Sequence, residues 1–170
     1  MIRRATYSDI ETIMGIVRGA QLSLCELGID QWQDGYPSKD VIINDIDLGV
    51  GYVMYTDNQV VGYAAIVLTG ESAYEQIASL WHTSNNYVVV HRLCVDNNTR
   101  RQGIAISLMK HAANMARDNG FNAFRIDTHK GNIRMMSMMQ KLGFRHVGRI
   151  KYDSGEREAF ELELDSSNIL

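Results

Sequence analysis

Six consecutive residues, Arg100-Arg101-Gln102-Gly103-Ile104-Ala105, combine two cations with a glycine and a small side chain. They stand between a valine-rich run, Tyr87 to Val95, and a run with helical apolar spacing that opens at Ile104. A helix N-terminus presents unpaired N–H groups and about half a positive charge. Gly103 and Ala105 let a ligand approach the main chain closely, and Arg100 and Arg101 place charge beside it. Such a constellation suits a diphosphate. It is not a Walker A loop, because no Gly-Lys-Ser/Thr follows, and the G-x-G-x-x-G dinucleotide pattern is absent. An arginine-rich turn that merely opens a helix is the competing explanation at this point.

Two histidines stand near this segment. His91 lies on the valine-rich run, four residues before Val95, and His129 closes the run Ile126-Asp127-Thr128-His129. Imidazole titrates near neutrality and suits a general base. Each has a structural alternative: a satisfied sheet histidine at 91, and a loop histidine organising a turn with Asp127 at 129. His82, His111 and His146 read as surface residues. The five histidines show no metal-ligand spacing, so no metal is expected. Cys25 and Cys94 sit in apolar stretches without a C-x-x-C pair, which reads as free, buried thiols in a reducing compartment. Cys94 has no base adjacent in sequence and makes a poor nucleophile. Met135, Met136, Met138 and Met139 read as core packing, with a soft wall beside a ligand as the alternative for Met139.

The elements that must position these groups are legible in the periodicity. Ile2 to Ala5 reads as a short strand. Ser8 and Glu11 form a capping box, after which Ile10, Ile13, Met14, Val17 and Leu24 recur at helical spacing to about Glu26. Gly28 stops that helix, and residues 28–37 are irregular. Ser38 caps a short helix carrying Val41, Ile42, Asp45 and Ile46. Strands follow at 52–55 and 60–68 around Asp57-Asn58, then a loop-like or weakly helical stretch at 69–86. Tyr87 to Val95 is a strand, Ile104 to Asn119 a helix ended by Gly120, and Ala123 to Asp127 a strand. A helix over 132–142 closes at Gly143, and strands at 144–152 and 157–164 finish the chain. The strand–helix–strand unit at 87–127 implies a right-handed crossover with parallel pairing. The short connections elsewhere imply antiparallel pairing. The expectation is an α/β (α+β) fold: a single mixed, mostly antiparallel central sheet with one parallel pair and helices on both faces.

At 170 residues the chain is expected to be one domain spanning 1–170, and it needs no staples to fold. The formal net charge of −3 argues against nucleic acid or an anionic membrane as the main partner. Arg3 and Arg4 are followed by no apolar core of a signal peptide, and no apolar run nears the ~18 residues of a membrane span. The chain is expected to be cytoplasmic.

With these residues in hand, the chain resembles the GCN5-related N-acetyltransferase (GNAT) family. The family's Arg/Gln-x-x-Gly-x-Gly/Ala signature after the fourth strand is met by Arg100, Gly103 and Ala105. Its asparagine opening the next helix and its Gly-Phe pair at that helix's end are met by Asn132 and Gly143-Phe144. The element order agrees over essentially the whole chain. The resemblance implies acetyl-CoA as cofactor and direct transfer of the acetyl group to an amine. It also implies that the parallel strand pair lies at the cofactor site. Main-chain groups of Leu93, Cys94 and Val95 are then expected to bind the pantetheine arm like an added strand. Arg100, Arg101, Gln102, Gly103, Ile104 and Ala105 would cradle the pyrophosphate, and Asn132 would contact the pantetheine.

The implied chemistry sets further requirements. An alkyl ammonium with a pKa near ~10.4 must lose its proton before attack, which calls for a base or a desolvating pocket. His91 and His129 are the candidates. An oxyanion donor is expected from the main chain at the Cys94–Val95 bulge. The family's acid tyrosine, seven residues after the asparagine, is replaced here by Met139. Tyr152, His129 or a water then stands as the substitute proton donor. The acceptor is expected in the loop carrying Asp30, Trp32, Asp34 and Tyr36, where a carboxylate and aromatic rings suit a cationic amine. Trp32 and Tyr36 as plugs between helices are the alternative. Tyr152 and Asp153 would line the opposite side. The expected substrate is a small-molecule amine, with a protein N-terminus or lysine as a variant. A non-catalytic acyl-CoA-binding module is the competing class, favoured by Met139. A homodimer through the late strands is compatible with the sequence.

Overall fold

The computed structural model describes residues 1–83 and 86–165. Among these residues, seven strands form one mixed sheet: β1 (Ile2–Arg4), β2 (Gly51–Thr56), β3 (Gln59–Val67), β4 (Tyr87–Val95), β5 (Ala123–Thr128), β6 (Arg145–Tyr152) and β7 (Gly155–Glu163). Their order across the sheet is β1-β2-β3-β4-β5-β7-β6. The pairs β1–β2, β2–β3, β5–β7 and β6–β7 are antiparallel, and β4–β5 is parallel, with Tyr87–Val89 opposite Ala123–Arg125. Four α-helices accompany them: α1 (Ile10–Glu26), α2 (Lys39–Asp47), α3 (Ile104–Asp118) and α4 (Ile133–Lys141). All four helices end in the same way. Gly28, Gly49, Gly120 and Gly143 adopt positive φ after the last turn, and the following amide bonds back to the carbonyl five residues earlier. The Gly143-Phe144 pair is thus the stop of α4, with the Phe144 N–H donating 3.0 Å to the Met139 carbonyl.

Contacts divide the chain into two compact units. The first comprises Met1–Ile66 with Val90–His111, and the second Val67–Val89 with the residues from Ala112 onward. In the first unit, strand alternation sends side chains to opposite faces. Val53 and Tyr63 face α1 and α2, in a core with Ile13, Ile16, Val17, Ile42 and Cys94. Tyr52 and Gly62 face α3: Tyr52 packs on His111, and Gly62 lies under Ile104 and Leu108. Helices therefore cover both faces of this part of the sheet. In the second unit, Ser72–Leu80 forms 3-10 turns broken at Ile77, within the stretch expected to be loop-like or weakly helical, of which residues 84 and 85 lie outside the described residues. Tyr74 and Ile77 pack on Tyr87, Val89, Ala123, Ile150 and Ala159. Below them Arg125 is buried between the rings of Trp81 and Tyr87, 4.3 and 4.0 Å from their centroids, and pairs with buried Glu161.

Three local expectations are corrected. The capping box is Thr6–Asp9, not Ser8–Glu11, because a 3-10 turn at Tyr7–Asp9 precedes α1. Asp9 accepts from the Thr6 N–H at 2.8 Å and from both Nη atoms of Arg3, and Arg3 holds its carboxyl down to about 2. Cys25 is exposed, because the apolar stripe of α1 that turns inward is Ile13, Ile16 and Val17. His111 is half-buried against Tyr52, and the loss of water lowers its pKa. Among the described residues no helix is long and apolar enough to cross a membrane.

Candidate active site

In the first unit, β4 runs straight into the diphosphate-type loop. Its Arg92 has φ 56, a left-handed residue that bends the strand just before the Cys94–Val95 segment. His91, directly before the bend, is half-buried, as are Leu93 and Val95. Cys94 is buried in the core, and desolvation pushes its thiol up to about 12. A thiol in that environment does not ionise near neutrality, which removes it as a nucleophile.

After β4, the Asp96 carboxylate accepts from the Asn98 N–H at 2.8 Å and starts a 3-10 turn at Asn97–Thr99. The chain then passes through two left-handed residues, Arg101 (φ 65) and Gly103 (φ 77). Left-handed residues in a short run turn successive amides toward one side and make an anion-binding concavity. The first bond of α3 runs from the Ser107 N–H to the Gly103 carbonyl at 2.9 Å. The amides of Ile104, Ala105 and Ile106 therefore precede any acceptor in their own helix. Ile104 is buried and anchors this turn, while Arg100, Arg101, Gln102 and Gly103 are exposed. A Cβ placed on Gly103 would meet nothing within 4 Å, so the turn is open to a ligand. Main-chain donors, a helix end and two exposed arginines thus lie within one short segment.

Residues between α1 and α2 form the second part of the first unit's candidate site. Trp32 is itself left-handed (φ 68), packs against the core and meets Tyr36 edge to face at 6.4 Å. The loop is tied to α1 by Gln21, whose Nε2 donates 3.0 Å to the Tyr36 carbonyl. Asp34 uses its carboxylate to accept the Tyr36 N–H at 3.3 Å, within its own turn. A buried network lies beneath. Arg92 Nε and Nη2 donate to the two oxygens of Asp45 at 2.8 and 2.6 Å, and Arg92 Nη1 donates to Tyr36 Oη at 2.7 Å. Tyr63 Oη donates to Asp45 Oδ2 at 2.6 Å. Burial opposes the charge on Arg92, but Tyr36 and Asp45 together outweigh it and hold the guanidinium charged. Burial, then Asp45, pushes the Tyr63 hydroxyl far above its ordinary value.

The second unit holds the other candidates. Tyr74 and Tyr152 both donate to Asp127 Oδ2, at 3.0 and 3.1 Å. Burial, then Asp127, raises both phenols, so they stay protonated and act as donors. His129 Nδ1 accepts the Gly131 N–H at 3.0 Å. With Nδ1 accepting, the proton of the neutral ring sits on Nε2, and the ring's lone pair is already engaged. His129 therefore takes part in organising its turn through the Gly131 amide. Asn132 caps α4, its Oδ1 accepting the Met135 N–H at 3.2 Å. Met139 is 0% exposed and belongs to the core, so it offers no wall to a ligand.

Arg92, Asp45, Tyr63 and the Tyr74–Asp127 contact were not singled out from the sequence. One signal was present: Asp45 follows Ile42 by three residues, on the apolar face of its helix, where an unpaired carboxylate is costly.

Comparison with known proteins agrees with this geometry. Residues 22–144 match the acetyltransferase (GNAT) family. A GNAT acetyltransferase from Streptococcus agalactiae superposes with a TM-score of 0.83 at 31% identity, covering 98% of this chain and 96% of that one. The PaiA N-acetyltransferase from Thermoplasma acidophilum, solved in complex with coenzyme A, gives a TM-score of 0.72 at 18% identity, over 96% and 98% of the two chains. GCN5-related N-acetyltransferase 6, chloroplastic, of Arabidopsis thaliana is 34% identical over 49% of this chain, and the match spans 29% of that plant protein. The sheet order, the loop before α3 and these likenesses agree, and the chain belongs to the GNAT acetyltransferase family.

Proposed function

We propose that the chain is an acetyl-CoA-dependent N-acetyltransferase whose acceptor is a small primary amine. The observation that carries this reading is the pair of left-handed residues, Arg101 and Gly103, opening onto the free amides of α3. Residues 100–105 supply main-chain and guanidinium donors to a diphosphate. The main chain of Leu93, Cys94 and Val95, just past the bend at Arg92, is the rail for the pantetheine arm. Acetyl-CoA supplies an activated acyl carbon: the amine nitrogen bonds to it, the C–S bond breaks, and the electron pair leaves with sulfur. That a fold neighbour was solved with coenzyme A supports the choice of cofactor.

His91 is the preferred base, because it adjoins the bend in β4 and because the His129 lone pair already holds Gly131. It takes the proton that the amine must lose. Trp32, Asp34 and Tyr36 give the acceptor an aromatic, acidic surface suited to an ammonium. In the second unit, Tyr152 is the protonated hydroxyl that stands in for the acid missing at Met139, and Asn132 is assigned to the pantetheine. The two free thiols support a cytoplasmic setting.

The test is release of free CoA from acetyl-CoA across a panel of polyamines, amino acids, aminoglycosides and peptide N-termini, with mass spectrometry of each amine. Saturable thiol release with one acetyl added to a small amine is expected. Acetylation confined to peptides would move the acceptor class. Tight CoA binding without transfer to any amine would favour the non-catalytic module that the core position of Met139 allows.

A further inference from the structure

Arg92 joins a costly backbone to a costly side chain. Its φ of 56 is a conformation natural to glycine and unfavourable for a long side chain. Its guanidinium is only 13% exposed and Asp45 only 3%, so both charges have been taken out of water. A glycine at this place would relieve the first cost but leave Asp45 buried without its partner cation. What the arginine adds is a set of three contacts. Two of them fork onto Asp45 of α2, and the third reaches Tyr36, which is 38% exposed at the outer end of the network. Tyr63 holds the same Asp45 from β3, so the carboxylate is fixed from two strands. The fork needs a planar guanidinium, and lysine cannot reproduce both legs. The fork by itself satisfies Asp45. The bond to Tyr36 is not needed for that, and its effect falls on the loop of Trp32 and Asp34.

We propose that Arg92 is a positioning residue: its fork on Asp45 holds the bend of β4, and its bond to Tyr36 sets the α1–α2 loop, so one buried ion pair fixes the cofactor rail and the acceptor loop together. This rests on the functional reading above. It assigns Arg92 no contact with the reacting atoms.

The test uses Arg92→Lys and Tyr36→Phe in the full chain. The first readout is hydrogen exchange at residues 30–37, which needs no ligand. The second is the split between the amine KM and kcat, alongside calorimetric CoA affinity. Arg92→Lys is expected to speed exchange in the loop and raise the amine KM by about tenfold, with kcat within about threefold, the scale of one charge-assisted hydrogen bond. Tyr36→Phe removes only the outer leg, so exchange and amine KM should rise while CoA affinity stays within about twofold. Unchanged exchange and unchanged amine KM in Arg92→Lys would overturn the proposal. Should Arg92→Lys fail to fold, Tyr36→Phe decides alone by the same two readouts. A wild-type chain that neither binds CoA nor turns over would defeat the functional reading instead, and the exchange data would still decide the link between Arg92 and the loop.

Discussion

Gly62 offers a test of how tightly β3 supports the turn that opens α3. A methyl group added there would sit 2.7 Å from Ile104 Cγ2, 3.3 Å from Leu108 Cδ1 and 3.5 Å from the Cys94 carbonyl. Carbon atoms pack at about 3.5–4.0 Å, so roughly 1 Å must be made between β3 and Ile104. Cγ2 sits one bond from the Ile104 Cβ, so it cannot swing away as a long side chain would. Either Ile104 leaves its rotamer or the first turn of α3 moves. Overpacking of this kind costs about 1–3 kcal/mol. Ile104→Ala removes the offending methyl and, alone, opens a cavity costing about 2–5 kcal/mol. In Gly62→Ala/Ile104→Ala the new methyl occupies part of that cavity. The double variant should therefore be more stable than the sum of the single losses by about 1–2 kcal/mol. Urea denaturation of the four proteins, followed by circular dichroism, measures the cycle. Since the moved turn carries the proposed diphosphate donors, Gly62→Ala should also weaken CoA binding several-fold. Additivity within about 0.5 kcal/mol would refute the packing argument.

Other expectations concern the ion pairs. Between an ordinary carboxyl value of 3.8 and one of about 2, Asp9 can contribute at most about 2 kcal/mol. Arg3 is 36% exposed, and solvent screening reduces this to about 1 kcal/mol. A depressed carboxyl contributes fully above the unfolded value and loses the contribution as pH falls toward 2. Asp9→Asn should thus lower Tm by roughly 2–4 °C at pH 7. At pH 2 it should match the wild type, and a constant gap across that range would disprove the linkage. Glu161 accepts from buried Arg125, from the His82 N–H and from the Thr83 hydroxyl. Glu161→Ala removes the carboxylate partner of the buried guanidinium and should cost about 3–5 kcal/mol, whereas Arg125→Met/Glu161→Leu should recover most of that loss in the same denaturation assay. Tyr152→Phe removes a donor to Asp127 and should slow acetyl transfer without altering CoA affinity, as steady-state kinetics and calorimetry would show.

The elements were legible because their signals are local. Three valines mark β4, Gly103 marks the start of α3, and Gly28, Gly120 and Gly143 mark the stops of α1, α3 and α4. The turn that opens α3 was legible for the same reason: it lies within one short segment, Arg100 to Ala105. The capping residues shifted because Arg3, outside the helix, reaches Asp9 and favours a 3-10 entry. The Arg92 network was hidden, since Arg92 and Asp45 lie 47 residues apart and α2 otherwise alternates acidic and apolar residues like a half-exposed helix. The role of His129 was half visible. Its turn could be anticipated, but a bond from ring nitrogen to the Gly131 amide depends on a loop geometry that periodicity does not encode.

In the proposed function, main-chain donors at Arg101 to Ala105 grip a diphosphate. Amide nitrogen–proton NMR during titration with coenzyme A, and separately with ADP, tests it residue by residue. Both ligands are expected to move the amides of Arg101, Gly103, Ile104 and Ala105 more than any others in the chain. No movement there at millimolar ligand, or a larger response at some other helix end, would contradict it.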